Sequence, residues 1–249
     1  MKTVHFVRHG ETDQNKDGIW QGHTNTQLSK TGKAQAKLLS KRLNLNNQTV
    51  FTSDLARAKE TAYFLSDSPT VRENLREINV GDFTGKSVKE TYSNNLDIFD
   101  ALQDDTYIFP NGESVKEFKQ RVQQEVDYIF ENIDEDSECV VMTHGFFIGT
   151  AIGLVLGFNQ YPYPIGNIQN TSISTVIKRD SVMQVNKFND AIHLPNSYID
   201  YPVKDKSRIL TFIRHGQTDS NTQGVWQGHV DNPLNTYGVE TAKELKGKF

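Results

Sequence analysis

Hydrophobic and polar positions alternate along this chain in two rhythms. Lys2 to Val7 and Thr49 to Thr52 read as short strands, and the apolar run within Glu138 to Thr143 reads as a buried one. Between them lie segments of helical period. Ser29 precedes a stretch in which Ala34, Leu38 and Leu39 recur at helix spacing, and Ser53 is placed to cap a helix running to about Leu65. Ser114 precedes a longer one whose Val115, Phe118, Val122, Val126 and Ile129 form an apolar stripe. An apolar helix is expected from Phe146 to Leu156 with Gly157 as its stop. Thr171 to Lys178 and Val182 to Phe188 then read as a hairpin. Strands alternating with helices predict an α/β fold, a three-layer sandwich with a mostly parallel central sheet.

The pattern also repeats itself. Residues 1–43 align without a gap on 207–249 at a constant offset of 206, with about 17 of roughly 43 positions identical. VRHGETDQNKDGIWQGH, from Val7 to His23, returns as IRHGQTDSNTQGVWQGH, from Ile213 to His229. The expected organisation is one whole domain over 1–198, a polar linker over 199–207, and the opening part of a second repeat over 208–249.

Composition narrows the class of function. Hydrophobic residues at 36% and charged residues at 23% suit an ordinary globular domain. A net charge of −4, with both signs mixed along the chain, provides no positive field for nucleic acid or an anionic membrane. No apolar run suits a signal peptide or a membrane span, so a cytoplasmic location is expected. Cys139 is the only cysteine, which excludes an intrachain disulfide and a cysteine metal cluster.

The chemistry gathers around Arg8-His9-Gly10, directly after the first strand and therefore at the carboxyl edge of a parallel sheet, where ligands collect. Arginine beside histidine, with Thr12 and Asn15 a turn later, would suit a phosphate cradle. Two other features are decoys. GDFTGKS, from Gly81 to Ser87, has three residues between its glycines where a P-loop needs four. His23 and His229 recur in both copies without further ligands at useful spacing, and read as solvent-side loop histidines. His193 is read as a packing residue. Arg72, Arg76, Lys86 and Lys89 are read as solvated charge rather than as a second anion site.

RHGxTxxN at Arg8 to Asn15, SxLxRAxxTA at Ser53 to Ala62, LxExxxG at Leu75 to Gly81 and the pair His144-Gly145 together resemble the histidine phosphatase (phosphoglycerate mutase-like) superfamily across residues 1 to about 198. The resemblance implies a phosphoglycerate mutase-like fold with His9 as a transiently phosphorylated nucleophile. It implies that Arg8, Arg57 and His144, with Asn15 and Gly145, surround the phosphoryl oxygens, that Glu77 is the acid serving the leaving group, and that no metal or cofactor takes part. In many relatives an aspartate and a proline stand where this chain has Asn25 and Gln27, and a glutamate where it has Thr84.

Mutases of this superfamily carry a long insertion between the glutamate and the second histidine. Here 66 residues separate Glu77 from His144, and Phe109 to Ser114 resembles the short broad-specificity and α-ribazole phosphatases. Hydrolysis of a small phosphorylated substrate is the expectation, with mutase-type transfer or a non-catalytic binding role as alternatives. Self-association is left open by the sequence. The second copy retains Arg214, His215 and Asn221 but has no counterpart of Arg57, Glu77 or His144.

Overall fold

The run Cys139 to Met142 lies at the middle of the sheet because both of its faces are covered. The computed structural model describes residues 1–43, 48–93, 104–158, 167–195 and 213–245. They fall into two units, Met1–Pro202 and Val203–Phe249.

The first unit begins with strand β1 (Lys2–Arg8), the short helix α1 (Asp13–Lys16) and helix α2 (Lys30–Leu43). Strand β2 (Thr49–Thr52), helix α3 (Ala56–Ala62), strand β3 (Thr70–Val71) and helix α4 (Val88–Ser93) follow. Helix α5 (Val115–Asn132), strand β4 (Glu138–Thr143), helix α6 (Gly145–Val155) and strands β5 (Ile173–Arg179) and β6 (Val182–Asp190) complete it. The sheet has six strands in the order β3-β2-β4-β1-β5-β6. The β3–β2, β2–β4 and β4–β1 pairings are parallel, while β1–β5 and β5–β6 are antiparallel.

Side chains two apart on a strand share a face, and β4 sorts its residues accordingly. Cys139 and Val141 join Val4, Phe6, Phe51 and the stripe of α5 in one apolar cluster. Val140 and Met142 join Val7, Val50, Leu39, Ala58 and Ala62 in another. Helices α5 and α6 therefore cover one face, and α2 and α3 the other, which gives three layers. The predicted α5 stripe is buried along its length, each large apolar residue adding about 1.5–3 kcal/mol. Its Ser114 and Glu117 form the reciprocal hydrogen bonds of a capping box. Burial also pushes the Cys139 thiol up to about 12, as suits an inert core residue.

The structure corrects one cap. Leu55, not Ser53, stands at the N-cap of α3, without a side-chain cap bond, and that helix ends at Ala62 rather than near Leu65. The first free N–H, on Ala56, is met across the chain by Asn25 Oδ1 at 2.8 Å. Ser53 is thereby left for other work. The expected linker, residues 199–207, lies outside the described residues.

The second unit has helices α7 (Asp219–Thr222) and α8 (Thr236–Leu245). It repeats the local geometry of its counterpart. Thr218 and Asn221 form the capping box that Thr12 and Asn15 form in the first unit. A Cβ on Gly10 would stand 2.6 Å from the Gly32 oxygen, and one on Gly216 would stand 2.5 Å from the Gly238 oxygen. Backbones cross too closely at both places for any side chain.

Candidate active site

Five of the residues expected at the site arrive from different parts of the first unit. β1 ends at Arg8 and delivers His9 at its carboxyl edge, beside the end of β4, where Thr143 O accepts the His9 N–H at 2.9 Å. α3 presents Arg57, the turn after Leu75 presents Glu77, and His144 stands at the N-cap of α6. Strand order β4-β1 makes neighbours of His9 and His144, with ring centroids 5.1 Å apart.

The proton on His9 is fixed by its neighbour. Nδ1 lies 2.7 Å from the Gly10 carbonyl oxygen, which only accepts, so Nδ1 carries the hydrogen and Nε2 the lone pair. Arg57 Nε donates to that Nε2 at 3.2 Å. Burial first, then the Arg57 and Arg8 cations, hold the His9 imidazole well below its ordinary range. Nε2 is thus unprotonated at neutral pH. Thr61 Oγ1 accepts the Gly10 N–H, and Asn170 donates to the His9 carbonyl, which pins the backbone on both sides.

Arg57 is 1% exposed, an unusual place for a guanidinium. Its terminal nitrogens donate to Thr24 O at 2.8 Å and Gly22 O at 2.9 Å, so the 20–26 loop wraps it. Burial lowers its pKa to about 10, with Glu77 opposing the change, so it stays charged at neutral pH. Arg8 donates to Ile168 O, and its side chain lies against Gly145.

Glu77 is suspended from the start of α6. Its carboxylate accepts N–H groups from Phe146 at 3.1 Å, Phe147 at 3.2 Å and its neighbour Ile78 at 3.1 Å. Those bonds and the Arg57 charge favour the carboxylate, yet burial outweighs them and its pKa is raised. A carboxyl that holds its proton longer than usual is suited to donate it. Asn15 stands further out, its Oδ1 taken up by Thr12 and by Asn170 Nδ2. What it can offer a ligand is therefore its amide NH2.

Several residues at the site have roles that the chain pattern did not reveal. His23 is no solvent-side histidine: it is partly buried, and its Nε2 donates to the Glu77 carbonyl at 2.7 Å. Arg121, on α5, donates to the carbonyls of Asn74, Arg76 and Glu77 and pairs with Glu113, which itself accepts from Asn79 N. The backbone around Glu77 is thus stapled by His23 and Arg121. Arg72 and Arg76, expected to be solvated, are paired with Glu125 and with Asp54 and Glu73. His193 bridges Arg42 and Thr171, and its pKa is lowered to about 4, first by burial.

These histidines set a stability profile. An unfolded imidazole protonates near pH 6.5, whereas folded His9 and His144 do so well below it, so the unfolded state binds more protons as pH falls. Stability should then decrease below about pH 6.5, by up to about 1.4 kcal/mol per pH unit for each of the two. Glu77 acts in the opposite sense, since its raised pKa makes the folded state the better proton binder above 4.5. Two histidines outweigh one carboxyl. Urea unfolding at pH 7.5, 6.5 and 5.5 should give a steadily lower midpoint; a flat profile would refute the neutral assignment.

Comparison with known proteins fits this geometry. The family model for the histidine phosphatase superfamily, branch 1, matches residues 4–191 and again 210–249. The chain is 30% identical over 199 residues to a metal-independent phosphoserine phosphatase of Arabidopsis thaliana, covering 76% of this chain and 82% of the relative. It is 29% identical over 212 residues to “Probable phosphoglycerate mutase GpmB” of Erwinia tasmaniensis, covering 80% and 98%. Among solved structures it resembles a phosphoserine phosphatase mutant of Entamoeba histolytica in complex with phosphoserine, at 28% identity and TM-score 0.67, over 78% of this chain and all of the other. A mycobacterial glucosyl-3-phosphoglycerate phosphatase, 24% identical over 76% of this chain and all of the other, shares the fold at TM-score 0.70. With the family model covering most of its length and the motif residues gathered at one sheet edge, the chain belongs to the histidine phosphatase superfamily, branch 1.

Proposed function

We propose that the first unit hydrolyses small phosphomonoesters through a phosphohistidine at His9, without a metal or other cofactor. The observation that carries this is a buried imidazole whose unprotonated Nε2 accepts from a guanidinium, with a buried carboxyl of raised pKa in the same site. Nε2 attacks phosphorus, the ester P–O bond breaks, and the departing oxygen takes the proton of Glu77. Water then attacks the phosphohistidine and gives its proton to Glu77 as the P–N bond breaks, restoring the nitrogen's electron pair and releasing orthophosphate. Arg8, Arg57, Asn15 and His144 would meet the equatorial oxygens, where charge accumulates during in-line transfer. Gly145 lies against the Arg8 side chain at the start of α6.

Hydrolysis rather than mutase transfer is supported by the short path from Glu77 to His144. Phosphoserine enters as a test substrate because relatives with that activity in their names are similar over most of this chain. Residues 208–249 would have no turnover of their own, since they lack counterparts of Arg57, Glu77 and His144. No described helix is long and apolar enough to cross a membrane.

The test is steady-state hydrolysis of p-nitrophenyl phosphate, phosphoserine, a sugar phosphate, 3-phosphoglycerate and α-ribazole phosphate in EDTA. It should be run on the full chain and on one ending at Pro202. We expect metal-independent release of phosphate, equal in both. Isomerisation of 3-phosphoglycerate without phosphate release would favour the mutase, and loss of turnover in a folded 1–202 chain would show that the second unit contributes.

A further inference from the structure

The position of the proton on His144 is determined less directly than that on His9, and it points to a role for Ser53. His144 Nε2 lies 2.9 Å from Ser53 Oγ, and both residues are fully buried. The Leu55 N–H donates into the same hydroxyl at 3.3 Å. An amide can only donate, so it occupies a lone pair of Oγ. Among the described residues the hydroxyl hydrogen then has one acceptor in reach, His144 Nε2. If Nε2 were protonated instead, Oγ would accept twice and its own hydrogen would be buried unpaired. The other ring nitrogen, His144 Nδ1, is buried without a hydrogen-bond partner among the described residues. Since buried polar groups are ordinarily paired, an orphan in a phosphoryl site is a donor waiting for a ligand oxygen.

We propose that Ser53 is a positioning residue that donates to His144 Nε2, fixes the Nδ1–H tautomer, and so reserves Nδ1–H as an uncharged donor to an oxygen of the bound phosphoryl group. This rests on the phosphatase reading of the site and deepens it. An uncharged donor is consistent with the setting, because burial and then the Arg57 charge keep His144 neutral. The two histidines become complementary. His9, held by a carbonyl acceptor, presents a lone pair from Nε2, whereas His144, held by a hydroxyl donor, presents a hydrogen from Nδ1.

The experiment is NMR of the full-length protein with 15N-labelled histidine rings at pH 7, with and without orthovanadate, His144 being assigned from its loss in His144→Gln. The expected wild-type spectrum has a protonated Nδ1 and an unprotonated Nε2 on His144, with the Nδ1–H signal moving when vanadate binds. Ser53→Ala should mix the tautomers and weaken orthovanadate binding about 10-fold, the equivalent of one buried hydrogen bond. Ser53→Thr, which keeps the hydroxyl, should restore both. A protonated Nε2 in the wild type, or an unchanged tautomer in folded Ser53→Ala, overturns the proposal. Should Ser53→Ala not fold, the wild-type spectrum alone decides. Neither readout depends on turnover, so a protein showing the stated tautomer and vanadate response but hydrolysing no ester would refute the phosphatase reading and leave the Ser53 assignment standing.

Discussion

Replacing His9 by alanine is expected to abolish ester hydrolysis, by roughly 10^4-fold or more, as loss of a covalent nucleophile does elsewhere. The folded structure should survive. His9 contributes a buried ring and two side-chain hydrogen bonds, one to the adjacent Gly10 carbonyl and one from Arg57 Nε, while the backbone bonds through Thr143, Thr61 and Asn170 do not involve its side chain. The decisive measurement pairs turnover with trapping. Wild-type protein mixed with a phosphorylated substrate and rapidly quenched should carry an acid-labile, base-stable phosphate on a peptide containing His9, and the alanine variant should carry none. Hydrolysis persisting in His9→Ala, or a label found elsewhere, would remove His9 from the reaction.

Arg57→Ala should come next in severity, lowering kcat/KM by about 10^3-fold, since the guanidinium offers two or more donors and a single transition-state donor is worth about 10^2- to 10^3-fold. Arg57→Lys should recover little, because an ammonium cannot hold the Gly22 and Thr24 carbonyls and reach His9 together. Removing the guanidinium also leaves those two carbonyls without their partner, costing about 1–3 kcal/mol for each one left buried and unpaired. The pH profile supplies an independent check. Arg57 is one of the charges that disfavour imidazolium on His9, so its loss should raise the His9 pKa and move the acid limb of kcat/KM to higher pH. Burial is the larger cause and remains, so the limb should move without reaching the ordinary value of 6.5. An unmoved limb would mean that Arg57 does not act on His9.

Local patterns announced much of this. The continuous apolar run at Cys139 to Met142 read as a buried strand and the α5 stripe as a helix with one buried side, and the structure has both. The strand-to-turn position of Arg8-His9 placed His9 at a sheet edge before any distance was known. Residues 57, 77 and 144 lie near that edge. Ser53 was harder to read. A serine just before a helix has the look of an N-cap, and only the approach of His144 from another strand showed where its hydroxyl is spent.

What the sequence by itself determined is what depends on near neighbours: strand and helix periods, the helix start at Ser114, the repeat, and which residue types could carry phosphoryl chemistry. Tertiary structure decided what depends on partners far along the chain. The unprotonated nitrogen of His9 is met by an arginine 48 residues away, and His144 is oriented by a serine 91 residues away. The backbone of Glu77 is held by His23 and Arg121 from opposite directions in sequence, 54 and 44 residues off. Arg72 and Arg76 read as solvated cations until folding set carboxylates beside them. Charge state, tautomer and pairing are set by the surroundings that the crossover topology assembles, and periodicity along a chain carries no record of those surroundings.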